Sequence, residues 1–541
     1  MAKEPQETSS VDDISYLPRL DGGLSRGQFV RVVSTAAGAA VLVPVLGRGP
    51  SALASSFGET SSLAPTVGGT LKAAVTGEPD SLDPALGTNY VTWEIFGQIF
   101  STLVQIQGNG KYSGVLAKSW TSPDPKTYIF NLRNDVYFHN GEKFTANDVK
   151  YSVDRIKNPK MGSFAAPLFD PVASVEVRSP TQVVFHLKQP FGPFFINLGQ
   201  HLQIVNQKAV ESSDPARNPV GTGPFKFVEW VQGDHITVAK NNKYFVPGRP
   251  YLDGVVFNFR PVDESRILSL RSGELDWVDG VPLQDIKSLQ HDPTFTFVTS
   301  GAVGIPDEIR FQTAKPPFNN KALRQAVAWA IDRKAVRSVG YFGTGQLGDQ
   351  EVGTGSPWYT KGANPYASAP NVNKAKALLA KAGIKKGLTV ECLTNSAYPG
   401  YVKTALVVQQ NLKAIGINVK IVELATSEWL ARYSKGNFQM LTGSYTGITD
   451  PDVFWSFETA KGNWNHYSNP KVNALVQQAR NSTNLAARKN LYSQVRKIVA
   501  QDVPIIFVHY ETIQYLMSKK VVGSTPHLDL SLRLENVGFT K

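Results

Sequence analysis

The sequence predicts an α/β protein of more than one lobe, from three observations. Its 541 residues exceed what a single hydrophobic core ordinarily serves. Period-two stretches such as Tyr128, Phe130, Leu132 alternate along the chain with 3.6-period stretches such as Leu323, Ala326, Val327, Ala330, Ile331. Residues 388–393, 402–412 and the segment opened by Val419 and Ile421 then read as strand, helix, strand within some 35 residues. That is a βαβ unit, which favours parallel pairing and a right-handed crossover.

At the N-terminus, residues 1–23 are polar. Ser25-Arg26-Gly27 precedes an apolar run over 32–46, and Ala52-Leu53-Ala54 follows. This three-part layout is that of an export signal over 1–54, with a flexible leader over 55–67 rich in Ser, Thr and Pro. The apolar run, about 15 residues and interrupted by Pro44, is short for a bilayer span. Residues 69–75 open the folded part as a strand. Val183, Phe185 and Leu187 alternate as well, and read as a second half-buried strand. Asn140-Gly141 predicts a type I′ hairpin turn between Tyr137-Phe138 and Phe144. Thr145 and Asp148 form a capping-box pattern before a helix carrying Val149, Val153 and Ile156 on one face. In the second half, Asn320 caps a helix expected over 323–339, and Gly416 ends the 402–412 helix as a left-handed cap. A helix over 488–500 and a strand over 505–508 complete the pattern.

Composition narrows function. Apolar content of 42% and charged content of 18% are those of a folded globular protein. The formal charge of +12 is dispersed, with no basic run longer than a pair, so nucleic acid is not an expected partner. The single cysteine, Cys392, excludes an internal disulfide and a four-cysteine zinc site, and its apolar surroundings predict a buried, inert thiol. No cysteine occurs before residue 392, so none stands just after the apolar run to carry a lipid tether. The eight histidines are scattered, without H-E-x-x-H or an i, i+4 pair, so neither a metal nor another cofactor is expected. Gly343-Thr344-Gly345-Gln346-Leu347-Gly348 matches G-x-G-x-x-G but follows a helix, the wrong context for a dinucleotide. No G-x-S-x-G elbow or assignable nucleophile–base pair points to an enzyme.

Four motifs stand in collinear order: Leu82-Asp83-Pro84; the segment from Thr127-Tyr128-Ile129-Phe130 to Asn147-Asp148-Val149; Asn218-Pro219-Val220-Gly221-Thr222-Gly223-Pro224-Phe225-Lys226; and Pro317-Phe318-Asn319-Asn320 through Arg324-Gln325-Ala326 to Ala330-Ile331-Asp332-Arg333. Together they resemble the family 5 extracellular solute-binding proteins of ABC importers, the oligopeptide, dipeptide and nickel-binding group, over roughly 68–515. The resemblance implies a periplasmic-binding-protein-like fold of class II, dipeptide-binding type. Two α/β lobes flank a ligand cleft, and a third domain is inserted. Domain I would comprise 68–111, 219–305 and 505–541, domain II 112–218, and domain III 306–504. It further implies a monomer, exported to the periplasm or the extracytoplasmic envelope. That monomer captures a small-molecule or peptide ligand by hinge closure and delivers it to an ABC permease with its ATPase subunits. A sensing receptor without transport and an envelope hydrolase are the alternatives.

The same resemblance nominates a site. Trp429 aligns with a pocket-lining tryptophan, and Tyr445-Thr446-Gly447 with the family's ligand-contacting strand and loop. Tyr90 and Trp93 are candidates on the opposing lobe. Aromatic walls suit the task, because they bury area at small entropic cost and keep a polar tip. One departure matters. Peptide-binding members place an aspartate after this strand to hold the ligand's α-ammonium, where this chain has Gly447 and Ile448. The following Asp450-Pro451-Asp452 is expected as a turn and helix cap, so the ligand stays open between a peptide and another small polar solute.

Overall fold

The computed structural model describes residues 64–107, 110–300, 305–367, 369–445, 448–525, 527 and 531–541. The export signal and most of the leader lie outside the described residues, as do Thr446 and Gly447. Three sheets organise the chain. The first lobe is built on seven strands in the order Phe295–Thr299, Gln514–Ser518, Trp277–Asp279, Thr70–Val75, Gly254–Phe259, His235–Lys240, Phe225–Val231. Thr70–Val75 runs parallel to both of its neighbours. The second lobe has six strands: Gln346–Leu347, Ile505–Tyr510, Pro306–Phe311, Met440–Ser444, Thr389–Asn395 and Asn418–Leu424. Thr389–Asn395 pairs in parallel with Asn418–Leu424, as a βαβ unit requires. A four-stranded antiparallel sheet, Ala117–Asp124, Thr127–Leu132, Gln182–Leu187 and Val172–Ser179, forms the small domain.

Both large sheets are covered on two faces, which is why their central strands are buried at nearly every position. Asn89 caps the first helix, Tyr90–Ile99, by accepting from Thr92 N at 2.8 Å. The capping box forms as expected, with Thr145 N donating to Asp148 Oδ2 at 2.8 Å. Val149, Val153 and Ile156 then pack against Phe130 and Phe185 in the small domain's core.

Three local expectations change, and one pair of motif glycines gains its reason. The Asn140-Gly141 loop is not type I′, since Gly141 has φ +90° but Asn140 is not at positive φ. Gly141 N donates to Phe138 O and Phe138 N to Glu142 O, giving a three-residue loop ending in a left-handed glycine. His139 is held by Gly221 O and Gly223 O, which explains the wider loop. The helix expected over 323–339 breaks at Ile331, and Asp332 caps a second one, Arg333–Gly340. Gly221 and Gly223 do not make a positive-φ turn. They are glycines because a Cβ would stand 2.0 Å from Ile99 O and 2.4 Å from Gln98 O. The N-P-V-G-T-G-P-F motif is therefore a lock against the end of the first helix. Finally, Ile505–Tyr510, expected in domain I, pairs with Pro306–Phe311 in the second lobe's sheet. The return to the first lobe falls at 511–513 instead of 505.

Two segments thus join the lobes, 300–305 and 511–513. They are tied to each other: Ser300 N donates to Ile513 O (2.9 Å), Ile513 N to Ser300 Oγ (2.8 Å) and Glu511 N to Ile305 O (3.2 Å). Paired crossings of this kind restrain sliding and leave a hinge.

Candidate functional site

The seam between the lobes lies at the ends of Pro306–Phe311, Met440–Ser444 and Ile505–Tyr510. Tyr445 follows the second of these strands. Its N–H donates to Pro306 O (3.1 Å), its hydroxyl to Val453 O (3.2 Å), and its ring meets Phe454 at 5.1 Å. Trp429 sits on the helix Thr426–Ser434, buried beside Tyr433 at 5.2 Å between ring centroids. Its indole covers Gly443, where a Cβ would come within 3.2 Å. Its Nε1 has no hydrogen-bond partner among the described residues. Trp429 and Tyr445 therefore share one aromatic cluster, which also holds Trp455 and Trp464.

Behind that cluster lies a buried ion triad. Arg310 donates Nε–H to Glu308 and Nη1–H to Glu458, and its guanidinium stands 5.6 Å from the Phe454 ring and 5.7 Å from the Tyr433 ring. All three charged residues are at most 2% exposed. Burial pushes the Glu308 carboxyl up to about 7, opposed by Arg310.

Tyr90 and Trp93 are not brought to Trp429. Tyr90 is buried in the first lobe's core, its hydroxyl 3.5 Å from that of Tyr515. Trp93 is half-buried against Phe164 and His201 and lines a cavity of about 100 Å³ between the first lobe and the small domain. Asp450 caps the helix Pro451–Glu458 and grips Arg488 with two 2.7 Å bonds, so the Asp-Pro-Asp expectation of a cap holds. Two of the G-x-G-x-x-G glycines pack under a strand: a Cβ on Gly345 would meet Tyr510 O at 2.2 Å and one on Gly348 would meet His509 N at 2.6 Å. Cys392 is fully buried, its thiol pushed up to about 12 by burial.

The small domain touches the second lobe across the seam. Gly192 N donates to Arg480 O (2.7 Å), Thr449 Oγ1 to Gln200 Oε1 (2.9 Å) and Gln189 Nε2 to Asn481 Oδ1 (3.1 Å). A cavity of about 470 Å³ lies on this seam, lined by Tyr112, Trp120, Phe195, Trp358, Thr449 and Arg488. That is the size of a site for a small molecule.

The sequence reading missed two groups of buried acids. Glu94 and Asp279 lie fully buried in the first lobe, close enough for each charge to bear on the other, with the Tyr90 hydroxyl beside Glu94. They converge because Tyr90 and Glu94 are i, i+4 on one helix, Tyr90 touches Tyr515, and Tyr515 pairs with Asp279 across adjacent strands. Asp307 and Glu511 lie at the hinge. A signal was present: Asp307, Glu308 and Arg310 occupy a strand, Pro306–Phe311, that is buried at every position.

Burial pushes the Asp279 carboxyl up to about 7, with the Arg266 charge opposing. A raised carboxyl contributes stability in full below its unfolded pKa of about 4, and loses it as pH rises through the folded value. The protein is therefore expected to be less stable at pH 8 than at pH 6, by about 1 kcal/mol from Asp279. Glu308 (about 7) and Glu511 (about 8) act in the same sense. Urea unfolding at the two pH values measures the loss, and Asp279→Asn should shrink it. An unchanged slope would mean that Asp279 is ionised in the fold at both.

Against this geometry the comparisons are direct. A model of the bacterial extracellular solute-binding proteins, family 5 Middle, matches residues 111–466. The chain belongs to this family. The oligopeptide-binding protein AppA of Bacillus subtilis (strain 168) is 28% identical over 493 residues, 86% of this chain and 90% of AppA. The ABC transporter-associated periplasmic binding protein DppA of Helicobacter pylori, solved with the peptide STSA, superposes with a TM-score of 0.75 at 28% identity, over 88% of this chain and 99% of that one. AgaA of A. tumefaciens R10, solved with agropinic acid, gives 0.74 at 29% identity over 87% and 99%. The fold is the two-lobed one of these binding proteins, and the protein is a substrate-binding component of an ABC transporter. Among the described residues no helix is long and apolar enough to cross a membrane.

Proposed function

We propose that this family 5 protein captures a small polar solute or peptide in the seam between its lobes, closes on it, and hands it unaltered to a membrane permease. Domains I, II and III correspond in this reading to the first lobe, the small domain and the second lobe, with the C-terminal boundary moved to 511. Trp429 and Tyr445, with Thr446 and Gly447 following, form the ligand wall of the second lobe, and Tyr90 and Trp93 back the opposing one. The observation that carries the reading is the paired crossing at 300–305 and 511–513, which leaves rotation about one axis as the soft motion. Closure is driven only by the ligand's extra affinity for the closed form. The protein acts as an exported monomer, and no step of this cycle makes or breaks a covalent bond.

Mass spectrometry of whatever co-purifies with the full chain should find a small solute bound one to one. Removing it should raise the radius of gyration measured by small-angle scattering, and adding it back should reverse the change. An unchanged radius, or a solute returned chemically altered, would reject binding and closure.

A further inference from the structure

Where the small domain meets the second lobe, the two bodies touch at the edges and stay apart between. At one edge Gly192 N donates to Arg480 O (2.7 Å), and a Cβ on Gly192 would stand 2.4 Å from Ser482 O. At another, a Cβ on Gly110 would stand 3.2 Å from Pro357 Cγ. Between these contacts lies the cavity of about 470 Å³. Surfaces held together in a protein are ordinarily close-packed, because a wall without a neighbour forfeits its dispersion contacts. An apolar cavity of about 150 Å³ already holds benzene, so this one has room for a fused pair of rings.

The walls are aromatic and offer no free charge. Phe195, on the helix Phe194–Gln200, has Tyr112 and Trp120 at 5.3 Å and Tyr128 at 5.6 Å between ring centroids. The small domain's core covers one side of Tyr112, Trp120 and Phe195 and leaves the other to the cavity, so all three are only half-buried. Trp358 lines the cavity from the second lobe and is 6% exposed. It is held in place by the Arg488 guanidinium, 4.8 Å from its ring, and by Arg496 Nη1, which donates to its carbonyl at 2.8 Å. The charge of Arg488 is spent: both Nη atoms donate to Asp450 at 2.7 Å, and Nε donates to Ala479 O at 3.1 Å. Lys111, also in the lining, is exposed to solvent. Ser122 Oγ donates to Asp124 O at 2.6 Å, and Thr449 is taken up by Gln200. A charged occupant would therefore be buried without a partner, whereas an uncharged ring would meet aromatic faces on both sides. Leu485 opens the helix Leu485–Asp502 and is 47% exposed, an apolar side chain in the lining that an occupant would cover.

We propose that this cavity is a binding site for an uncharged, ring-bearing apolar group, held between Phe195, Trp120 and Tyr112 on the small domain and Trp358 on the second lobe. Trp429 and Tyr445 do not line it, so the site does not depend on the ligand wall assigned to them. The ring comes from one of two sources: an arm of the transported solute, or a separate small compound.

The test is fluorescence titration of the full chain, stripped of co-purifying solute, with N-phenyl-1-naphthylamine. This uncharged probe is dark in water and bright in apolar surroundings. Saturable one-to-one binding with blue-shifted emission is expected. Ser122→Trp, which fills the cavity, and Leu485→Asp, which sets a charge beside it, should each weaken binding ten-fold or more. Both positions are exposed, so both variants keep the fold, which circular dichroism checks. Emission that never saturates, or an affinity unchanged in either variant, would overturn the proposal. The unstripped chain separates the sources. If its solute excludes the probe, the ring belongs to the transported solute; if both bind together, it belongs to a separate compound. If the probe fails while the radius of gyration still responds to removing the solute, capture between the lobes survives and only this site falls.

Discussion

Replacing Arg310 by methionine is expected to lower the unfolding free energy by about 3–5 kcal/mol, because it leaves Glu308 and Glu458 buried without their shared cation. Both carboxylates are at most 2% exposed, and Glu308 Oε2 already lacks a partner among the described residues. Glu458 retains the bond from Asn465 Nδ2, at 3.2 Å. Methionine fills much of the guanidinium's volume, so the loss reports charge more than a cavity. The triple variant Arg310→Met, Glu308→Gln, Glu458→Gln should recover much of the loss, since neutral amides carry a far smaller desolvation penalty. Chemical unfolding followed by tryptophan fluorescence measures both. A single variant as stable as the wild type would mean that the two acids are protonated in the fold.

Trp429→Ala is the second large effect. The indole is 4% exposed and packs on Tyr433 and Gly443, so truncation empties a large volume in the second lobe. Loss of a buried tryptophan costs about 3–5 kcal/mol. If the indole also backs the ligand wall, affinity for the co-purifying solute should fall by more than ten-fold even at temperatures where the variant is fully folded. Trp429→Phe should recover part of the stability, through a ring that still meets Tyr433. Calorimetry with the solute identified by mass spectrometry separates the two roles. Lost stability with unchanged affinity would make Trp429 a core residue and remove it from the wall.

Local chemistry was legible along the chain wherever one segment decides its own structure. The capping box at Thr145 and Asp148 forms, Gly416 adopts φ +85° at the helix end, and Asp450 caps its helix. Each of these is a contact within a few residues, so the sequence states it directly. The Asn140-Gly141 turn was misread because its conformation answers to His139, which is held by Gly221 and Gly223 some 80 residues away. Gly221 and Gly223 are decided at long range too: what requires them is the approach of the Ile99 and Gln98 carbonyls, not their own φ.

The site divides along that line. Sequence pattern and family resemblance pointed to Trp429 and Tyr445, and the fold puts them in one cluster; they also named Tyr90 and Trp93, which it keeps apart from that cluster. Neither pattern nor resemblance pointed to Asp307 with Glu511, or Glu94 with Asp279. Acids 204 and 185 positions apart in sequence come together only because separate strands and a helix converge, and no periodicity records that. By itself the sequence determined the α/β elements and their caps, because hydrophobic period and capping are short-range, and its collinear motifs carried the resemblance to a two-lobed binding family. Only the tertiary structure decided where the lobes hinge and which buried charges face one another. Those depend on which strands become neighbours, and in this chain neighbours come from opposite ends.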